Sequence, residues 1–382
     1  MEVQILYYGF MLVGAFLSVF NKRIFLYIFA AALMLMAFLR YGMGADYFAY
    51  QFLFDQLRSG ALLEFNYGVG SQEVGFRVIG AFLKNIGLPY QVYIAIFAAI
   101  NLFYVVKTCK KYSKNPTLSL VVYFSFYYLV WTFSGVRQGV ALAVGIYYLL
   151  EAIKKSKLIK LLIITALLSL IHASAWFLLI LYFVSKWRVN KKQLVLFTFF
   201  SVMVSFVPLG LLISKMTWLP FYYEFSTYIN PRATLNLLDF QSLGRIFFLI
   251  VAFFFYKHYV KESVLSRKVM NVYIIALNLY FVFQFSELVA SRLAIYGMYL
   301  NIIILANIMY LYRTTITKML YLYCLIIFCF VYLFKNLGTM EQHFYENGEH
   351  NTITPYVNIY NKEEFGFKGS YFMLPDDWRR SK

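Results

Sequence analysis

Charged residues are scarce in this sequence, and acidic residues are the scarcest. Only 14% of the 382 residues are charged, with 17 Asp and Glu against 35 Lys and Arg. There are three cysteines, Cys109, Cys324 and Cys329, and we expect none of them in a segment facing an oxidising compartment. The sequence therefore predicts neither a disulfide framework nor a cysteine-based metal cluster.

Hydrophobic residues are correspondingly abundant. They make up 62% of the chain, in successive runs of roughly 15 to 21 residues, about the length needed to cross a bilayer. Backbone groups in lipid must be hydrogen bonded within the protein, and the runs are too continuously apolar for the alternating pattern of a barrel. The sequence predicts an all-α, polytopic membrane protein.

The apolar runs predict twelve transmembrane helices, with both termini on the outer side. The stretch from Leu158 to Ser185 is short for two crossings, yet Lys-rich turns flank it on both sides and require an even number. We therefore expect two short helices hinged near His172. The predicted helices cover 5–20, 24–39, 89–106, 117–133, 136–152, 158–171, 173–185, 193–213, 242–257, 269–289, 293–311 and 319–334.

Two domains follow from this pattern: a transmembrane domain at 1–334 and a polar extracytoplasmic tail at 335–382. Long outer loops are predicted at 40–88 and 214–241. In the first loop, aromatic and polar residues alternate at helical spacing, which predicts amphipathic helices at the membrane surface.

The distribution of lysine along the chain predicts its orientation in the membrane. Short Lys-rich turns contain 20 of the 35 basic residues, and the positive-inside rule places them in the cytoplasm. This distribution accounts for the net charge of +18 without a nucleic-acid partner. The turns are 22–23, 107–114, 154–160, 186–192, 257–268 and 313–318.

Arginine dominates the opposite face. Topology needs only positive charge, whereas a planar guanidinium binds phosphate or carboxylate oxygens bidentately and stays charged when partly desolvated. The outer face is therefore predicted to bind an anion, although each Arg could instead reach toward lipid headgroups. Outside the tail, the outer basic residues are Arg40, Arg58, Arg77, Lys84, Arg137, Lys215, Arg232, Arg245 and Arg292.

Three outer stretches carry candidate site residues. In the first, Arg40 to Tyr50, two glycines allow a tight turn that would bring Arg40 close to Asp46. Such a pair could bind substrate or merely neutralise itself.

The second stretch, Ser134 to Gln138, places Arg137 and Gln138 in the first turn of a predicted helix. Free N–H groups and the positive end of the helix dipole would favour an oxyanion there. The alternative is a tight turn with an Arg that reaches toward lipid.

The third stretch, Ile171 to Ala175, puts His172 at the predicted hinge. Histidine titrates near neutrality, so His172 could exchange a proton with a hydroxyl group or donate to a phosphate. A hydrogen-bonded structural His is the alternative interpretation.

The sequence resembles the EpsG family of exopolysaccharide proteins, which is related to the Wzy O-antigen polymerases. Each motif alone is weak, but their order and shared outer placement make the resemblance specific. Ala45 stands where the family pattern often has Thr or Ser. The motifs are RYGMGADYFAY (40–50), SQEVGFRV (71–78), SGVRQGVALAV (134–144), IHASA (171–175) and SRLAIYGMY (291–299).

The resemblance implies a GT-C-type glycosyltransferase of the bacterial inner (cytoplasmic) membrane, with its active site facing the periplasm. Its substrates would be oligosaccharides linked to undecaprenyl diphosphate, and membrane lipids would surround it. No cofactor is expected and no metal is indicated. Whether a chain-length regulator binds is left open.

Roles for the candidate residues follow from that chemistry. Asp46, Glu73 or His172 would orient or deprotonate the attacking hydroxyl group, and the sequence leaves the choice among them open. A flippase for the lipid-linked unit and a membrane O-acyltransferase are the alternative functions. The candidate ligands of the diphosphate and sugar are Arg40, Arg137, Gln138, Arg245, Arg292 and Tyr50.

Overall fold

In a computed structural model, most of the chain is helical. The structure describes residues 4–57, 73–216, 218, 229–237, 239–340, 342–346 and 348–366. The first helices are α1 (Gln4–Val19), α2 (Arg23–Leu39), α3 (Tyr47–Gln56), α4 (Val74–Asn85), α5 (Tyr90–Tyr112), α6 (Pro116–Tyr123), α7 (Val136–Lys155) and α8 (Leu158–Ser169). A π-helix, Phe124–Ser134, continues α6.

The second half of the chain is helical as far as a short hairpin near the C-terminus. Its elements are α9 (Phe177–Val184), α10 (Lys191–Ser205), α11 (Leu209–Ile213), α12 (Phe240–Glu262), α13 (Val264–Val282), α14 (Glu287–Met298), α15 (Asn301–Ile308), α16 (Thr315–Gly338), β1 (Gln342–Tyr345), β2 (Gly348–Asn351) and α17 (Lys362–Phe365). The two strands pair antiparallel, with His343 opposite His350.

The structure confirms a helical polytopic membrane protein, with one short hairpin among the described residues. Within the described residues, five helices are long and apolar enough to span a membrane, and a sixth span is possible if 289–298 and 301–311, bent by 41°, cross together. Shorter apolar helices include Ile5–Val19, Arg23–Leu39, Leu158–Ser169 and Ala173–Val184. The full count of twelve crossings stays a prediction.

Several predicted boundaries are confirmed and two predicted helices are wrong. The helix predicted at 293–311 is interrupted, because α14 ends at Met298 and α15 begins at Asn301, with a bend of 41° between them. The hinge near His172 is present, because α8 ends at Ser169 and a 3-10 turn begins at Ala173. Helices α3 and α4 match the amphipathic segments predicted in the first outer loop. The single helix predicted at 193–213 is wrong: it breaks before Pro208, which has no N–H to donate and whose ring hinders the preceding turn.

Contacts divide the chain into two compact units, the first formed by Met1–Tyr147, Ile164–Ala175 and Leu305–Lys382. At one end of this unit Lys-rich turns meet: the Asn21 side chain donates to the Lys114 carbonyl at 3.1 Å, and the Lys114 amide donates to the Asn307 side chain at 2.7 Å. At the other end of α5, the Tyr90 hydroxyl donates to the Tyr47 carbonyl at 2.7 Å. A helix of 23 residues separates these ends by roughly 34 Å.

The C-terminal residues pack against the end of the first unit that lies away from the Lys-rich turns. We call residues 351–359 the C-terminal strap. The amides of Tyr41 and Gly44 donate to strap carbonyls at 2.9 and 2.8 Å, and the Tyr7 hydroxyl donates to the Ile353 carbonyl at 2.5 Å. Ile353 and Val357 are fully buried. The polar tail is therefore part of the folded unit as far as the strap extends.

The second unit comprises Tyr148–Ile163 and Trp176–Ile304. Its Lys-rich turns also gather at one end, because Lys186 donates to the Ser156 hydroxyl at 3.4 Å and the Asn271 side chain donates to the Val189 carbonyl at 3.4 Å. Toward the opposite ends of its helices, the Asn230 amide donates to the Phe285 carbonyl at 2.8 Å.

Candidate functional site

The turn before α7 is shaped by the π-helix. Its 11 residues end at Ser134, and the Gly135 amide closes the turn by donating to the Val130 carbonyl at 2.8 Å. A Cβ on Gly139 would overlap the Trp131 carbonyl, so only glycine permits this approach of the two helices. The turn places Arg137 in the first turn of α7, as the sequence predicted.

Arg137 is held on several sides. Its Nη1 lies 2.5 Å from Glu73 Oε2, and its Nε donates to the Tyr50 hydroxyl at 3.4 Å. The guanidinium also lies 5.4 Å from the Tyr50 ring centroid and 5.5 Å from that of Phe76. The Arg137 and Glu73 side chains are 23% and 20% exposed, so a ligand can reach a guanidinium whose orientation is already set.

Tyr50 links Arg137 to Asp46. The Tyr50 hydroxyl donates to Asp46 Oδ2 at 3.3 Å while it accepts from Arg137. Burial raises the pKa of Tyr50, and the neighbouring Asp46 carboxylate raises it further. The Tyr50 hydroxyl therefore keeps its proton. Its two hydrogen bonds fix the positions of Asp46 and Arg137 relative to each other.

Glu73 joins the same arrangement to the His172 turn. Its Oε1 accepts from the Ala173 amide at 3.1 Å. The start of α4 lies against this turn, since the Gly75 amide donates to the Leu170 carbonyl at 2.7 Å. Both carboxylate oxygens of Glu73 are thus engaged, one by a guanidinium and one by a backbone amide.

His172 has a defined proton arrangement. The Ser174 amide donates to His172 Nδ1 at 3.3 Å, and the Ser174 hydroxyl lies 2.7 Å from the same nitrogen. A backbone amide can only donate, so Nδ1 is an acceptor and the neutral ring carries its proton on Nε2. Nε2 is the ring atom suited to donate a hydrogen bond to a substrate oxygen.

We call Asp46, Tyr50, Glu73, Arg137 and His172 the Arg137 cluster. Hydrogen bonds join Asp46, Tyr50, Arg137 and Glu73 in one series, and His172 belongs to the turn whose Ala173 amide donates to Glu73. Gln138 follows Arg137 in the first turn of α7 and is buried.

Arg40 occupies a different environment. Its side chain is 1% exposed, its Nη1 donates to the Thr132 carbonyl at 2.5 Å, and its guanidinium lies 4.7 Å from the Phe133 ring centroid. Burial lowers the pKa of Arg40 from its ordinary value. Within the described part of the chain its Nε has no hydrogen-bond partner.

The expected pairing of Arg40 with Asp46 does not form. The glycine turn is present, with Gly42 and Gly44 at φ +64° and +104°. However, Arg40 pairs with Asn358 of the C-terminal strap through a backbone bridge, and its side chain is directed inward to Thr132. Whether Arg40 binds a diphosphate stays a prediction.

Arg245 and Arg292 belong to the second unit. Arg245 is buried, donates to the Gln241 carbonyl at 2.9 Å and lies 3.6 Å from the Tyr280 ring centroid. Arg292 is exposed on α14. Their joint action with Arg137 on one diphosphate stays a prediction.

Sequence reasoning missed the C-terminal strap and the ring of Phe76. The hydrophobic residues of the strap show no regular spacing. The sequence offered only isolated aliphatic residues, such as Ile353 and Val357, in a polar tail. Phe76 lies within the SQEVGFRV motif, three residues after Glu73, a helical spacing that places both near Arg137.

The described ranges contain no candidate metal site. No three His, Cys, Asp or Glu side chains there form a group that could hold a metal ion.

Comparison with known proteins identifies the family of the chain. No curated protein and no solved structure matches the chain. The EpsG family model matches residues 23–358, a range that includes every residue of the Arg137 cluster and ends in the C-terminal strap. Because the match covers most of the chain, the protein belongs to the EpsG family, which is associated with Wzy-type polysaccharide polymerases.

Proposed function

We propose that this protein is a polysaccharide polymerase of the bacterial inner membrane. It transfers a glycan chain from undecaprenyl diphosphate to a lipid-linked repeat unit at the periplasmic face. The observation that carries the proposal is the Arg137 cluster, in which a preoriented guanidinium and two carboxylates are joined by hydrogen bonds and linked to the turn that carries His172.

The reaction sets two requirements. A hydroxyl oxygen of the acceptor sugar forms a bond to the anomeric carbon of the donor, and the bond from that carbon to the diphosphate breaks. The bonding electrons leave with the lipid diphosphate, and the hydroxyl proton passes to a base. The site must therefore stabilise negative charge on the leaving group and accept a proton.

Arg137 meets the first requirement. A guanidinium can hold two phosphate oxygens at once, and Arg137 stands at a helix N-terminus whose dipole also favours an anion. Glu73 and Tyr50 fix its orientation before substrate arrives, which reduces the reorganisation needed in the transition state. Glu73 acts as a positioning residue, because both of its oxygens are already engaged.

Asp46 meets the second requirement better than the other two candidates. Its Oδ2 accepts from the neutral Tyr50 hydroxyl, whereas both Glu73 oxygens are already engaged, one by a guanidinium and one by a backbone amide. His172 carries its proton on Nε2 and serves as a donor to the diphosphate or to a sugar oxygen. Asp46 therefore takes the hydroxyl proton in the proposed mechanism.

The placement of the cluster supports a periplasmic site. The Lys-rich turns of the first unit lie at the far end of α5, and the positive-inside rule assigns those turns to the cytoplasm. The cluster then faces the periplasm, where flipped repeat units are presented.

A cell-free assay tests the proposal. The purified protein is reconstituted in vesicles with a lipid-linked repeat unit, and the products are separated by size. We expect a ladder of polymer lengths together with release of undecaprenyl diphosphate.

Other outcomes would identify the alternative functions. Movement of the lipid-linked unit between leaflets without a ladder would identify a flippase. Acylated monomers formed from an acyl donor, without a ladder, would identify an O-acyltransferase. Either result would overturn the proposed function.

A further inference from the structure

The second unit contains a cavity that the proposed polymerase chemistry does not use. It has a volume of about 600 Å³, within the range of small-ligand pockets. It lies between the turn after α9 and the start of α13. We call it the basic pocket; the polar residues that line it include Lys186, Arg188, Asn190, Arg267, Lys268 and Asn271.

No carboxylate of the described residues pairs with the cations of the basic pocket. Lys186 donates to a serine hydroxyl and lies 4.7 Å from the Tyr182 ring centroid, so its known partners are neutral. Among the described residues, none of the four cations forms an ion pair with Asp or Glu. Four like charges around one cavity repel each other, and an anion in the cavity would relieve that repulsion.

The walls of the pocket are fixed by hydrogen bonds. The Asn271 side chain accepts from the Tyr256 hydroxyl at 2.8 Å and donates to the Val189 carbonyl at 3.4 Å. Asn190 caps α10 through a reciprocal arrangement with Gln193. A cavity with such walls is formed before a ligand binds, which lowers the entropic cost of binding.

The positive-inside rule does not account for this arrangement. That rule requires basic residues in cytoplasmic turns, but it sets no condition on where their side chains meet. Lys110, in a turn of the first unit, instead donates to the Tyr27 hydroxyl at 2.7 Å. The gathering of Lys186, Arg188, Arg267 and Lys268 around one cavity therefore needs a separate explanation.

The rim of the pocket favours a ligand that arrives from the membrane. Trp187 and Val264 line the pocket and are 58% and 61% exposed. Phe183, one turn before Trp187 and on the same chain segment, is also exposed. Apolar side chains beside a cationic cavity match a lipid, with acyl chains along the apolar rim and an anionic headgroup among the cations.

We propose that the basic pocket binds a phosphate group, supplied by the headgroup of an anionic membrane lipid. The inference does not depend on the proposed polymerase activity, since it concerns a separate cavity in the Lys-rich turns of the second unit. The bound lipid would stabilise the meeting of the α9–α10 turn with the start of α13.

Native mass spectrometry in detergent tests the proposal with phosphatidylglycerol as the probe. The wild-type protein should retain one lipid, because a lipid in a formed pocket survives dilution whereas diffuse surface attraction does not. Arg267→Gln with Lys268→Gln should weaken binding about 30-fold, since each cation near a phosphate contributes about a factor of five. Both residues are at or near the surface, and the remaining basic residues of the turns preserve the topology signal.

The matched control removes two charges at the same end of the same unit. Lys257 and Lys261 are exposed and do not line the pocket, so Lys257→Gln with Lys261→Gln should bind lipid as the wild type does. Equal loss in both double variants, or no retained lipid in the wild type, would overturn the proposal.

A second arm identifies the source of the phosphate. Inorganic phosphate should raise the thermal stability of the detergent-purified wild type far less than phosphatidylglycerol does. Equal stabilisation by both, abolished in Arg267→Gln with Lys268→Gln, would support the phosphate site and reject the lipid as its source. An effect of either probe that is unchanged in that variant would overturn the site itself.

Discussion

Arg137 Nη1 and Glu73 Oε2 lie 2.5 Å apart although 64 residues separate them in the sequence. The contact joins the first turn of α7 to the residue that precedes α4. It holds the guanidinium beside the Tyr50 ring and leaves it partly exposed. The ion pair thus orients a cation that a diphosphate can still reach.

Substitution of Glu73 tests this positioning role. Glu73→Gln keeps an acceptor for the Ala173 amide but removes the charge opposite Arg137. We expect kcat to fall about tenfold to a hundredfold, because a charge-assisted hydrogen bond is worth roughly 1.5 to 3 kcal/mol. The KM for the lipid-linked donor should not rise, since the freed guanidinium keeps its charge. Initial rates in vesicles over a range of donor concentrations give both values.

Glu151→Gln provides the matched control. Glu151 pairs with Lys155 at 3.1 Å within one helix, so this change also removes one carboxylate from an ion pair. Unchanged rates are expected. A rise in KM with unchanged kcat in Glu73→Gln would show that Glu73 contributes to binding rather than to orientation.

Asp46 is tested by an isosteric change. Asp46→Asn keeps the shape of the side chain and an oxygen that can accept from Tyr50, but the amide cannot take a proton. A lost general base lowers rates by about 10² to 10⁴, and we expect a reduction in that range. Polymer formation per unit of protein is the measurement.

His172→Gln separates the two roles. Glutamine retains a hydrogen-bond donor, so the loss should be smaller than for Asp46→Asn. The reverse order of effects would assign the base to His172.

Local sequence signals predicted much of the site. Arg137 at a helix N-terminus and the hinge at His172 both follow from short-range patterns, namely a glycine-containing turn and apolar runs of limited length. Their meeting with Glu73 could not be predicted in this way. It depends on packing between α4 and the His172 turn, and nothing in one sequence specifies that contact.

Arg40 illustrates why the other parts of the fold and site could not be predicted from the sequence. Its neighbours in sequence predicted a pair with Asp46, but its backbone pairs with a strap more than 300 residues away and its side chain donates to Thr132. The strap has one buried aliphatic residue every few positions and therefore no period to detect. The π-helix was missed for a similar reason, since apolar content does not distinguish an i+5 from an i+4 hydrogen-bond pattern.

The glycine turn after Arg40 yields a prediction about stability. Gly44 has φ +104°, and a Cβ there would overlap the Phe133 carbonyl. Gly87 has φ +78° with open space around it. Both Ala variants bear the strain of a left-handed backbone, roughly 1 to 2 kcal/mol, but only Gly44→Ala adds the overlap. Thermal unfolding in detergent should show a larger loss of Tm for Gly44→Ala.

Gly87→Ala is therefore the control for backbone strain. Equal losses of Tm in the two variants would mean that a small local shift relieves the overlap with the Phe133 carbonyl at little cost.

The C-terminal strap should contribute to the stability of the first unit. Ile353 is fully buried, whereas Tyr360, just beyond the strap, is 80% exposed. Ile353→Ala should lower the free energy of unfolding by about 2 to 5 kcal/mol, the usual cost of removing a buried aliphatic side chain. Tyr360→Ala should have little effect. The unfolding temperature in detergent measures both, and equal values would show that the strap packs loosely.

Arg137→Lys distinguishes a guanidinium that binds diphosphate from a cation that only sets topology. Lysine keeps the charge but loses the planar pair of donors and the stacking beside Tyr50 and Phe76. A contact made in the transition state is worth roughly 2 to 4 kcal/mol, so polymerisation should fall by about two to three orders of magnitude at matched protein levels. Arg232→Lys, at an exposed position, should be silent. Lysine reaches lipid headgroups as well as arginine does. A near-normal ladder from Arg137→Lys would therefore remove Arg137 from the diphosphate site and leave Arg40, Arg245 and Arg292 as the candidates.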